Sequence, residues 1–162
     1  EKLQRTKRDP DSNIEKVIDL GLVGTPQTVN PHVLESFERS DITPVIAPIG
    51  MGPNGETFNI NADTMAGAIA AATKAARLYM LTDIAGVLDK DGNLIPTMTI
   101  AEARALIADG TIQGGMIPKI ENCIDVVEQG VDAATIIDGR VPHAVLVELF
   151  TTGGAGTQIT QN

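Results

Sequence analysis

Short apolar runs alternate with helical stripes along this chain, and that alternation constrains the fold more than any other feature. "TPVIAPIGM" (43–51), "RLYMLTD" (77–83) and "AATIIDG" (133–139) read as strands, the first of them apolar enough to be buried on both sides. Between them lies "NADTMAGAIAAATKAA" (61–76), the strongest helical stretch, whose Ala and Gly positions let it lie close to a sheet. "TIAEARALIADG" (99–110) carries Thr99, Glu102 and Gly110 at the spacing of a capping box with a glycine stop. A helix from "GGMIPK" to Gln129, a helix over "PHAVLVELF" and a short strand in "GGAGTQIT" complete the later part. Strands separated by helices predict an α/β fold with three layers, α/β/α, around a mostly parallel central sheet.

The earlier part is less regular. "DLGLVGTPQTVN" reads as a short strand pair broken at Gly24 and Pro26, and "NPHVLESFERSD" as a helix with Asn30 as N-cap and Pro31 in its first turn. Asn54-Gly55 marks a turn before the extended "ETFNI". The charged "EKLQRTKRDPDSN" has no sustained apolar face, so residues 1–18 are expected to form an arm or frayed helix.

With only 2% aromatic residues, the core must come from Ile, Val, Leu, Met and Ala. The net charge of −9 argues against a general nucleic-acid or anionic-membrane surface, yet a few local cations and helix N-termini can still hold a small anion. The single cysteine, Cys123, sits in an apolar helical pattern and reads as a small buried hydrophobe. No apolar run approaches the ~20 residues of a membrane helix, and no secretory leader pattern is visible, which makes a cytoplasmic protein the default.

In open α/β sheets ligands collect at the carboxyl ends of strands. Four polar clusters fall there: Asn59-Asn61-Asp63, Thr82-Asp83, Gly114-Gly115 with Lys119, and Asp138-Gly139-Arg140. Lys119 is the only Lys or Arg between Ala105 and Gly139. A lysine in the first helical turn opposes the macrodipole by roughly 0.3–1 kcal/mol, a cost that a bound anion would reverse. It is either a surface charge or a contact to a phosphate-type ligand. The P-loop pattern is absent. Asp63 in a first turn is favoured there in its own right, and Asn59 and Asn61 could bind a ligand's carboxylate or amide, or close the turn. Asp89, Asp91 and Gly92 read as a hairpin turn, since the further ligands of a calcium loop are missing. His32 and His143 lack partners at zinc spacing, so no metal site is expected in the protein itself.

Taken in order, "FNINAD", "MLTDIAGVLD", "TIQGGMIPKIENC", "IIDGRVPHAVLVELF" and "GAGT", between Asp19 and Thr157, resemble the amino acid kinase family. Within it the likeness is to the branch that phosphorylates N-acetyl-L-glutamate on the route to arginine. The resemblance implies that Lys119 stabilises the transferring phosphoryl group, that Asp63 orients catalytic lysines, and that Asn59, with Asn61 beside it, binds the acetylated amino acid. It implies that ATP lies along Thr82, Asp83, Ile84, Ala85, Gly86, Val87 and Leu88. The turn of Thr111, Ile112 and Gln113 belongs to the same contact, with Gly115 and Met116 at the following helix. Mg²⁺ would accompany the nucleotide. The nucleophile is a side-chain carboxylate, a group that ordinarily titrates near ~4.3. It is ionised at neutral pH, so no general base is needed and positioning does most of the work.

Arginine-inhibited members of that branch bind arginine near a terminal segment matched here by Glu148, Gly154 and Gly156, with His143 nearby. Glu148 could face a guanidinium or be an exposed helix acid. The family also has an earlier Lys-Gly-Gly lysine, a Gly-rich loop and a substrate-gripping arginine, none of which is found in this chain. The expectation is therefore an N-terminally truncated, amino acid kinase-like chain. Residues 19–75 would be a remnant of the substrate lobe and 76–162 the nucleotide lobe, with little or no turnover alone and a homo-oligomeric parent enzyme. The rivals are another family enzyme acting on a different acid or on carbamate, and a non-catalytic module that binds nucleotide or arginine.

Overall fold

The computed structural model describes residues 1–8 and 15–162. The chain divides into two compact units, residues 1–68 and 69–162, each with a four-stranded sheet.

In the first unit β1 (Lys2–Arg8) runs antiparallel to β2 (Glu15–Gly24), β2 runs parallel to β4 (Thr57–Ile60), and β3 (Ile49–Met51) closes an antiparallel hairpin with β4. The order is β1-β2-β4-β3. Residues 2–8 are thus a strand, not an arm or frayed helix. Their hydrogen bonds come from β2, and a charged strand suits a sheet edge; the stretch from 9 to 14 lies outside the described residues. The expected strand pair over 19–30 is one strand that ends at Gly24. The apolar run at 43–51 also differs from expectation. Only its last three residues pair, at the sheet edge, and Val45 and Met51 are 98% and 85% exposed. Pro44 and Pro48 remove two backbone donors, which excludes a central position. The helix α1 (Pro31–Glu38) forms as its cap predicts, with the Asn30 side chain accepting from the His32 N–H at 3.1 Å. The Asn54-Gly55 turn also forms, and α2 (Ala62–Thr73) follows β4.

The second unit contains β5 (Arg77–Thr82), β6 (Thr97–Thr99), α3 (Ile100–Ala108), α4 (Met116–Glu128), β7 (Ala133–Asp138), α5 (Ala144–Phe150) and β8 (Gly156–Thr160). The strand order is β5-β7-β8-β6. β5 and β7 are parallel, as are β6 and β8, but β7 and β8 are antiparallel. The α/β class holds, while the sheets are two and mixed where a single, mostly parallel one was expected. All six residues of β7 are buried, matching its unbroken apolar run. Ile120, Cys123, Ile124, Val126 and Val127 of α4 supply much of the core that packs on this sheet. The Cys123 thiol is fully buried against Met80, its Sγ 3.3 Å from the thioether sulfur. α3 starts with the predicted capping box, Thr99 accepting from the Glu102 N–H while the Glu102 carboxylate accepts from the Thr99 N–H. α5 begins two residues later than its sequence suggested, because His143 adopts a left-handed φ of 62°.

Candidate functional site

The carboxyl ends of β5 and β7 coincide, with Thr82 and Asp138 as register partners. Beyond them the chain from Asp83 to Leu88 is held from below. The Thr157 hydroxyl, fully buried in β8, accepts from the Val87 N–H at 2.8 Å and donates to the Ile95 carbonyl at 2.7 Å. Gly86, at φ 136°, must be a glycine because a Cβ there would lie 2.6 Å from that same hydroxyl oxygen. Val87 is buried, its N–H donating to Thr157 and its carbonyl accepting from the Ile95 N–H at 2.8 Å, whereas Asp83, Ala85 and Leu88 are exposed. The segment closes in the predicted turn. Asp89 accepts from the N–H groups of Asn93 and Asp91 at 2.8 and 2.9 Å, and the backbone and side-chain bonds from Asn93, with a smaller part from Asp91, hold its carboxyl below the ordinary range. Among the described residues no three His, Cys, Asp or Glu side chains are placed to share a metal ion.

The stretch between α3 and α4 holds Thr111 to Gly115, with Met116 opening α4. Asp109 accepts from the Thr111 N–H at 2.9 Å and pairs with Lys90 at 2.9 Å, tying this stretch to the Asp89 turn. Ile112 is buried, and the Gln113 side-chain amide donates to the Gly110 carbonyl. Gly114 takes φ 58°, and a Cβ on either Gly114 or Gly115 would find nothing within 4 Å. Lys119 is the fourth residue of α4, on the turn that follows this open glycine pair. Its three preceding residues include Met116 and Pro118, the latter at a position where a missing N–H costs no helical bond.

In the first unit Asn59, Asn61 and Asp63 follow one another from β4 into α2. Asn59 is exposed on the strand. The Asn61 carboxamide oxygen accepts from the Thr64 N–H at 3.1 Å and from its hydroxyl at 3.4 Å, so this residue caps α2. Asp63 lies in the first turn of α2, where the dipole favours it.

The second unit also holds a cavity of about 480 Å³ bordered by Glu148, Gly154 and Gly156, with Arg77, Tyr79 and Gln158 from the sheet. The Glu148 carboxylate accepts from the Ala155 N–H at 2.7 Å and so shapes the Gly154 turn, which has φ 63°. Gly156 is dictated by packing, since a Cβ there would collide with the Ile136 carbonyl. His143 does not line this cavity. Sequence reasoning missed Arg77, Tyr79 and Gln158 here. Alternation along β5 puts Arg77 and Tyr79 on one sheet face, but only the β5-β7-β8 order brings Gln158 to the same wall. Thr157 was missed as the anchor of Val87 for the same reason.

The fold and site define an α/β protein whose polar groups gather at strand carboxyl ends and helix starts. The amino acid kinase family matches residues 6–138, and the chain belongs to that family. Acetylglutamate kinase of Rhodospirillum rubrum is 65% identical over 98% of this chain, and the match spans 51% of that relative. The chain thus spans about half the length of the curated relatives it matches. Among solved structures, N-acetylglutamate synthase from Neisseria gonorrhoeae, complexed with coenzyme A and L-arginine, superposes with a TM-score of 0.84 at 24% identity over 100% of this chain and 37% of its own. Carbamate kinase from Giardia lamblia bound to AMP-PNP gives 0.68 at 17% identity, over 98% and 52%. Both likenesses concern the fold. No helix among the described residues is long and apolar enough to cross a membrane.

Proposed function

We propose that this chain carries the nucleotide lobe and part of the substrate lobe of a cytoplasmic, ATP-dependent kinase that phosphorylates the side-chain carboxylate of N-acetyl-L-glutamate. The observation that carries the reading is the 65% identity to an acetylglutamate kinase over nearly the whole chain, supported by a lysine placed beside an open glycine pair. In this reading the backbone of Thr82 to Leu88 and of Thr111 to Gln113 cradles the nucleotide. Gly115 and Met116 border the phosphates, and Lys119 offsets the negative charge that spreads over the phosphoryl oxygens during transfer. Asn59 contacts the acetylated amino acid, Asn61 fixes the start of α2, and Asp63 orients cationic groups. Mg²⁺ would be held chiefly by the nucleotide's phosphates, as is usual for this ion, and would share their charge. Arg140 occupies both Asp138 oxygens, which leaves Asp83 as the exposed carboxylate of that strand end.

A second site reading has its own support. The cavity is lined by an acid, Glu148, and a base, Arg77, a pairing that suits a zwitterionic amino acid with a cationic tail such as arginine.

The test is calorimetric titration of the chain with MgATP, with Lys119→Ala as comparison. A parallel turnover assay would add the part of the Rhodospirillum rubrum enzyme that lies outside the match. We expect nucleotide binding by the chain, weakened at least about tenfold by Lys119→Ala, and acetylglutamate-dependent ADP release only in the supplemented mixture. A folded supplemented protein that never turns over, with Lys119→Ala binding MgATP normally, would remove the kinase reading.

A further inference from the structure

Of the polar clusters at strand ends, the Asp138-Gly139-Arg140 turn is the one to which the proposed reaction gives no task. Its geometry is nevertheless fixed by several bonds. The Gly139 N–H donates to the Thr82 carbonyl at 2.8 Å, so the turn leaving β7 is stapled to the residue that opens the 82–88 segment. A Cβ on Gly139 would come within 3.1 Å of the Leu81 Cβ, which accounts for a glycine at this close approach. Arg140 chelates Asp138: Nε donates to Oδ1 at 2.9 Å, Nη2 to Oδ2 at 2.8 Å, and the Arg140 backbone N–H adds a third bond at 3.0 Å. These bonds, the guanidinium's first, hold the Asp138 carboxyl at about 2. The Asp138 side chain is 12% exposed and that of Arg140 67%. A guanidinium has five N–H groups, so the chelate uses two and leaves the others available. Asp83, the next residue beyond the stapled Thr82, acts electrostatically on the same guanidinium.

Two carboxylates thus crowd the carboxyl end of a strand pair where a polyphosphate is expected, and Arg140 is bonded to one and in the field of the other. A carboxylate at this strand end without its partner would repel an approaching anion, by an amount that salt reduces.

We propose that Arg140 is a positioning residue for nucleotide binding, which cancels the Asp138 carboxylate and holds the turn stapled to Thr82 so that a nucleoside triphosphate can settle along the 82–88 segment. This rests on the nucleotide reading of that segment. Arg140 works through Asp138 and not by gripping the phosphates.

The test is a double-mutant cycle on the full chain, with MgATP affinity measured at low and high salt for wild type, Arg140→Met, Asp138→Asn and the double variant. We expect Arg140→Met to weaken binding roughly tenfold, and the double variant to recover most of that loss because no uncancelled carboxylate remains. The deficit of Arg140→Met should shrink at high salt. A pair that served only as a turn staple would change the melting temperature and leave affinity and its salt dependence alone, which would overturn the proposal. A double variant as weak as Arg140→Met would overturn it too, by placing Arg140 on the ligand. Should Arg140→Met fail to fold, Asp138→Asn against the double variant carries the same test, with affinities expected to agree within about twofold. If wild type binds no MgATP, the nucleotide reading fails first and takes the proposal with it. Wild-type binding with an unaltered Arg140→Met sinks the proposal alone.

Discussion

Gly115 has φ −68° and ψ −10°, which any residue can adopt, and its surroundings leave room for a side chain. On backbone grounds alanine would be the better residue there, and Gly115→Ala should raise stability by about 0.4–1 kcal/mol. A glycine is explained if something else needs the space. We expect this variant to melt higher and to bind MgATP less tightly. A gain in stability with unchanged affinity would take Gly115 out of the site. At this scale the sequence was legible wherever a role depends on neighbours a few positions away. Asn30 as a cap and the Thr99–Glu102 box are such cases. Asn61 could bind a ligand's carboxylate or amide or close the turn on sequence grounds, and its carboxamide oxygen accepts from the Thr64 N–H. The Asp138–Arg140 chelate could not be foreseen, because an i, i+2 pair meets only in a turn of the right shape.

Elements were legible in proportion to how local their support is. α2, α3, α4, β5 and β7 follow their patterns closely, since each carries its own period, caps or apolar run. β1 was invisible because what makes it a strand is the row of partners on β2, not its own composition. The mixed β5-β7-β8-β6 order was equally hidden, as nothing in "GGAGTQIT" states that it pairs antiparallel to β7 and parallel to β6. That insertion gives β8 its leverage on the site through Thr157. Thr157→Val keeps the shape but leaves the Val87 N–H and the Ile95 carbonyl without this partner, and should cost about 1–3 kcal/mol. MgATP affinity should fall beyond what the remaining folded fraction explains. If affinity per folded molecule is unchanged, the 82–88 segment does not depend on this anchor.

The whole chain offers a built-in reporter in its single cysteine. Cys123 is fully buried in the second unit, so a thiol reagent reaches it when that unit opens. Saturation with MgATP at a hundred times Kd should add about 2.7 kcal/mol to the opening free energy and slow labelling roughly a hundredfold. Lys119→Ala should lose most of that protection. Equal labelling rates with and without nucleotide would mean that the second unit does not hold it. The division into compact units after residue 68 falls inside α2, which reads as one uninterrupted helix in the sequence.

The bond between Val87 and Thr157 joins residues 70 positions apart. Protein synthesis runs from one to the other at about 5–20 residues per second, so a growing chain spends several seconds with the 82–88 segment made but unanchored. β6 waits nearly as long, since β8 is its ladder partner. Ordering of this segment therefore waits until β8 is in place. A ribosome-bound chain stopped short of β8 would display the same residues without the conformation that makes them a site.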